Sequence, residues 1–294
     1  MKTILLLTAI LTGILFPYGH DFTFLVRYLI MIMLLLAFLD IKIDFKIIQK
    51  SHFVILFSKL FIAVSVFYLI KNIYPEAAPA ALVTAIAPTA IASPVIISLL
   101  KRKVEYAAVS LIFTNIVLAF IIPFLFPMLL SSELNISTND VLLPVLSIIF
   151  LPLLFAKIIV GYLPGLHKLL SAHKDKSFYF LITNIYLGTS KAVYFIQTEL
   201  DSSFLVIAVI AITSMFLCIL FFSLGRIIGG NKYADEAMQS LGQKNNGFTM
   251  WLGLEFINPL AAMGPVFYIF SQNIFISWQL HNNQKKDNYT TRHE

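Results

Sequence analysis

Charge is scarce in this chain. Of its 294 residues, 12% are Asp, Glu, Lys or Arg, where an ordinary soluble domain carries about 25%. That shortage excludes a soluble enzyme, a disordered chain and a nucleic-acid reader. Cysteine occurs once, which excludes a disulfide framework and any cysteine-based metal cage. No Gly-Lys-Ser/Thr phosphate loop is present, which argues against an ATP-driven pump, and no selectivity-filter sequence argues for a channel. What the chain has instead is apolar mass: 59% hydrophobic residues and a mean hydropathy of +0.87, gathered in long blocks. It reads as an all-α integral membrane protein, and its net charge of +6 reads as basic cytoplasmic loops.

A spanning helix needs about 20 apolar residues. Candidate spans fall at about 3–18, 24–40, 52–70, 80–100, 105–130, 141–163, 178–198 and 204–229. The apolar stretch 247–280 is too long for one helix and too short for two. Charge decides the number. With the amino terminus inside, fifteen of the 21 Lys and Arg fall in inside segments and three (Arg27, Lys71, Lys191) outside, while Lys59, Lys157 and Lys244 fall in or near spans. The positive-inside rule then requires an even number of crossings between Lys232 and Lys285. Two helices fit, broken at Asn258-Pro259, provided the first borrows polar residues from 236–246. The expectation is ten spans in one domain, with both termini on the cytoplasmic side of the cell membrane and a polar, disordered tail at 282–294. Residues 1–18 are read as the first span. A signal peptide is the alternative, although no small-residue cleavage pattern precedes Pro17.

Two spans read as broken. The fourth carries Pro79, Pro88 and Pro94, and each proline removes a backbone donor and clashes with the preceding turn. The ninth carries Gly242, Asn245, Asn246 and Gly247 in mid-length. Non-helical backbone at membrane depth survives only where protein buries it or a watery cavity solvates it. Positions four and nine correspond in two five-span halves, about 1–131 and 139–281. That pairing points to a secondary transporter of inverted repeats. Kinked helices without a ligand, and a plain Asn-Asn-Gly loop, are the plainer alternatives. Lys244 is the sharpest residue: a lysine at mid-membrane costs about 2.5–3.5 kcal/mol and marks a substrate or ion path, unless it snorkels from a shorter helix. Lys59 and Lys157 are read as snorkelling. The histidines fall at span ends or in loops, with no metal site among them.

With these residues in view, the chain resembles the bile acid:sodium symporter family, over all ten spans and most strongly over 87–131 and 236–281. The family's first broken helix carries a proline followed by a Ser-Asn pair; here Pro88 and Ser93 match, and Pro94 replaces the asparagine. Its second reads Glu-x-Gly-x-Gln-Asn-x-Gly; here Ser240 to Gly247 match at Gly242, Asn245 and Gly247. The aromatic helix ending in Gln272-Asn273 is also similar. The resemblance implies a ten-helix fold in which broken helices 4 and 9 cross. It also implies two sodium sites near the crossing, whose ligands depart here: Ser240 for the Glu, Lys244 for the Gln, Pro94 for the Asn, with Ala107 and Leu111 read at the span-five positions. Sodium needs oxygen ligands, so sodium coupling is expected to be lost, with Lys244 standing in for a bound ion.

The expectation is therefore a non-enzymatic transporter of a small or amphipathic organic anion, with no cofactor and no resident metal. Its partners are the bilayer and the substrate. Ser93, Ser240, Gln243, Lys244, Asn245 and Asn246 are the expected binding residues, and Pro88, Pro94, Gly242 and Gly247 shape the crossing backbone. The alternatives are a sodium-coupled symporter with altered ion ligands, and a non-transporting membrane sensor on the same fold. Relatives that export arsenite use a membrane-embedded cysteine in the first broken helix; Cys218 lies in span eight and reads as packing.

Overall fold

The computed structural model describes residues 2–39, 47–130, 136–198 and 204–293, with side chains for all of these but 2–4, 175 and 284–293. Lys42 and Lys46, counted above among the inside charges, and the repeat boundary at 131 lie outside the described residues.

The elements run α1 Lys2–Leu15, a short 3-10 turn Pro17–Phe22, α2 Leu25–Phe38, α3 Lys50–Lys71, α4 Ala78–Ile86, α5 Ser93–Leu99, α6 Val104–Leu130, α7 Thr138–Tyr162, α8 Pro164–Ala172, α9 Ser177–Thr198, α10 Phe204–Gly242, α11 Asn246–Phe256 and α12 Pro259–His293. No strand occurs among the described residues; one isolated antiparallel bridge joins Thr89 to Lys244. The chain is an all-α membrane protein. Five helices are long and apolar enough to cross a bilayer alone: α3, α6, α7, α10, and α12 over Pro259–Asn283. Apolar α1 and α2 are shorter. The tail expected to be disordered instead continues α12 to His293.

Local chemistry sets the helix limits. At the start of α7 the Ser137 hydroxyl accepts from the Asp140 amide, and the Asp140 carboxylate accepts from the Ser137 amide, so two donors with no helical partner are satisfied reciprocally. Gln49 and His52 do the same for α3. The three prolines of the expected fourth span avoid helix interiors. Pro79 and Pro94 sit in the first turns of α4 and α5, and Pro88 lies in the gap between them. A first-turn proline loses no helical hydrogen bond. Helix α10 is two limbs, because Gly230 (φ 55°, ψ −152°) and Tyr233 (φ −137°, ψ 31°) leave helical geometry.

The outer faces are apolar. Phe57 and Phe61 on α3, Leu151, Leu154, Phe155 and Ile158 on α7, and Ile212, Met215, Phe216 and Ile219 on α10 are exposed at helical spacing, the arrangement a hydrocarbon solvent favours and water does not. Polarity is turned inward: residues 77–90 and 236–253 are buried without interruption. Around them pack α3, α6, α10 and α12, while α1, α2, α7 and α9 pack together through α1–α9, α2–α7 and α2–α9 and meet the first set broadly through α6–α7 and α9–α12. Helix α11 touches α2 and α9, so the break at 243–245 lies near the seam between the two groups.

Candidate functional site: a crossing of two interrupted helices

The gap between α4 and α5 and the gap between α10 and α11 meet. The Ala90 amide donates to the Gln243 carbonyl at 3.0 Å, and the Asn245 amide donates to the Pro88 carbonyl at 2.9 Å. Two turns that have lost their helical hydrogen bonds therefore satisfy each other as a two-bond fragment of antiparallel ladder. This solves the problem of irregular backbone in a medium with no water.

Side chains take up what the ladder leaves. Helix α6 supplies the first gap: the Thr89 amide donates to Thr114 Oγ1 (3.0 Å), and Asn115 Nδ2 donates to the Thr89 carbonyl (3.1 Å). Thr89 Oγ1 in turn donates to the Ser240 carbonyl at 2.6 Å and lies 3.5 Å from Ser110 Oγ. The α6 residues at the gap are thus Ser110, Thr114 and Asn115. Ala107 instead packs with Ile97 and Leu100, and Leu111 meets the network only through its carbonyl. The difference is about one turn. The polar contacts that α6 makes to the gap thus fall at 110–115, about one turn beyond Ala107.

Helix α12 supplies the second gap. Gln272 Oε1 accepts from the Lys244 amide (2.9 Å) and from Asn246 Nδ2 (3.3 Å), and the Tyr268 hydroxyl donates to the Gly242 carbonyl (2.7 Å). Asn245 Oδ1 accepts from the Phe248 amide at 3.3 Å and caps α11. A Cβ on Gly242 would stand 2.5 Å from the Phe222 ring, which is itself stacked on Phe275. Glycine is required there by close approach. At Gly247 an added Cβ would meet nothing nearer than 3.8 Å, so no such demand exists.

Both buried lysines end here. Lys244 is 2% exposed, donates from Nζ to the Ala85 carbonyl at 2.6 Å, and stands 3.5 Å from the centre of the Phe221 ring. Lys59 does not snorkel: it is 0% exposed and donates to the carbonyls of Ala87 (3.1 Å) and Leu241 (3.5 Å). The face of α3 that carries Lys59 packs on α4 and α10, which leaves the side chain no route to an interface. Lys157 is exposed.

The crossing therefore brings together Pro88, Ser240, Gly242, Gln243, Lys244, Asn245 and Asn246. Ser93 is buried at the start of α5, and Pro94 beside it is part-exposed; neither side chain bonds the second gap. Several buried polar atoms have no partner: Ser93 Oγ, Asn115 Oδ1, Ser240 Oγ, Gln243 Oε1, Asn245 Nδ2 and Asn246 Oδ1. Buried polar groups are normally satisfied; these six atoms gather at the crossing and its flanking helices, while Asn184 Oδ1, Thr189 Oγ1 and Ser190 Oγ on α9 are also without a partner. Among the described residues no group of His, Cys, Asp and Glu could hold a metal ion. Cys218 is buried in the first limb of α10.

Sequence reasoning assigned no place at the site to four contributors: Lys59, Thr89, Gln272 and the Ser110-Thr114-Asn115 face of α6. The last had a signal, since three polar residues within six positions of a 27-residue apolar helix are costly in hydrocarbon unless they meet a partner. No protein-family model and no curated protein matches the chain.

Proposed function

We propose that this chain is a secondary transporter that moves a small or amphipathic organic anion by alternating access, without sodium, on a fold like that of the bile acid:sodium symporters. In this reading it crosses the membrane ten times as two inverted five-helix repeats, with both termini in the cytoplasm. The observation that carries it is the ladder between residues 88–90 and 243–245. Paired helix interruptions at membrane depth are the site-forming device of such transporters. In this reading the helices that hold the crossing move against α1, α2, α7 and α9 along the α6–α7 and α9–α12 contacts that join the two sets. The anion preference rests on Asn245 Nδ2, an unpartnered donor at the amino end of α11, where the helix dipole also favours negative charge.

A second reading has an observation in its favour. Ser93, Ser110, Asn115 and Ser240 place hydroxyl and amide oxygens around the first gap, three of them with unpartnered atoms, and oxygens are the ligands a hard cation takes. This is the sodium-coupled alternative. Uptake of labelled organic anions into proteoliposomes tests both. Saturable uptake equal in sodium and choline buffers supports the first reading, uptake confined to sodium supports the second, and no uptake above protein-free liposomes rejects transport.

A further inference from the structure

The three carbonyls bonded by Lys59 and Lys244 share one property. Ala85 and Ala87 close α4, and Leu241 lies in the last turn of the second limb of α10. They belong to the carboxy ends of the two interrupted helices. The last carbonyls of a helix have no partner within it, and together they carry a partial negative charge. Elsewhere water, a cap or a dissolved cation answers that charge. Here the surroundings are dry, and the two helices end against each other, so their negative poles add.

We infer that Lys59 and Lys244 are built-in cations for these two poles, and that the carbonyls of Ala85, Ala87 and Leu241 form a site for a small primary ammonium that the lysines' own side chains fill. The geometry favours this over two separate structural lysines. The two side chains come from different elements, α3 and the second gap itself, yet end on neighbouring carbonyls of one helix end, Ala85 and Ala87. Lys59 also bridges the pair by reaching Leu241. Among the described residues neither lysine nitrogen has a carboxylate partner, unlike Arg102, which pairs with Asp235. Carbonyl oxygens and the Phe221 face remain as counter-charge, and both attract an ammonium. The consequence for transport rests on the reading above: a tethered cation cannot leave, so each cycle proceeds with no dissolved cation bound at these poles.

The test needs no substrate. Lys59→Ala and Lys244→Ala each remove Cγ, Cδ, Cε and Nζ, the four heavy atoms of n-propylammonium. Thermal unfolding of the purified variants is expected at a lower temperature, with a saturable recovery in n-propylammonium chloride, since a ligand of the folded state stabilises by mass action. No recovery is expected in 1-propanol, which fills the same space without charge, or in tetramethylammonium, which has no donor; the wild type should respond to none of them. Equal recovery in 1-propanol, or recovery in none, overturns the inference. If the alanine variants do not fold, Lys59→Met and Lys244→Met keep the volume, and wild-type stability in both would equally overturn it. A recovered variant in a protein that moves no anion would sink the transporter reading and leave this one standing.

Discussion

Gln272 is the side chain on which the second gap most depends, and its replacement can be worked through. Its Oε1 is the acceptor for the Lys244 amide, a backbone donor with no helical partner, and for Asn246 Nδ2. Gln272→Leu keeps nearly the same volume, so the change is the loss of an acceptor with little cavity added. Hydrogen bonds between membrane helices are worth about 0.6 kcal/mol on average and about 1.7 at most. Two such bonds put the loss at about 1–3.5 kcal/mol. The upper half of that range is the better expectation, because Lys244 NH is buried main chain that cannot turn toward another partner. The assay is unfolding in mixed micelles of rising SDS fraction in a Trp278→Phe background, followed by the fluorescence of Trp251, which is buried in α11 beyond the gap. A cycle with Asn246→Ala separates the two bonds. The double variant should lose less than the sum of the singles by about 0.6 kcal/mol. An unfolding midpoint for Gln272→Leu equal to that of the wild type would refute the claim that this residue holds the gap.

Other consequences are open to the same assay. Gly242→Ala drives a Cβ into the stacked Phe222 ring and should destabilise by about 1–3 kcal/mol, with no loss if the helices can part at that point. Gly230→Ala has open space around it but a backbone at φ 55°, ψ −152°. A loss of about 1–3 kcal/mol is expected from strain alone, and an unchanged midpoint would mean the α10 kink does not need glycine. Thr89→Val removes the 2.6 Å bond to the Ser240 carbonyl and should lower the midpoint by about 0.6–1.7 kcal/mol, whereas Thr89→Ser should not. Sodium and potassium at equal ionic strength should give the wild type the same melting temperature. A saturable, sodium-specific rise would restore the sodium-coupled reading.

How much of this was legible in the residues depended on the kind of interaction. Composition and run length identify a membrane protein, because the cost of charge in hydrocarbon is large and independent of sequence neighbours. The two interruptions were legible for a similar reason: proline and glycine act on the backbone locally. The fate of Lys59 was not. A lysine part-way along an apolar helix can snorkel or turn inward, and the choice is made by α4 and α10, which carry the carbonyls it finds 28 and 182 positions away. The polar face of α6 was hidden on the same ground. Ala107 and Ser110 lie three residues apart on one helix, and only the position of the neighbouring gap distinguishes them. Gln272 was noted as part of a pattern, but its bond to Lys244 crosses 28 residues and has no local signature.

Alternating access requires that the crossing be reached from both sides of the membrane in turn, and accessibility at the second gap reads this out. Cys218 is the one native cysteine and is buried, so Cys218→Ala gives a silent background on which Asn246→Cys places a single thiol beside the ladder. The variant would be labelled with a membrane-impermeant thiol reagent in intact cells and, separately, in inverted vesicles. Alternating access predicts modification from both sides, at rates that shift in opposite directions when a transported anion is added. Modification from one side alone, or from neither, would contradict the account.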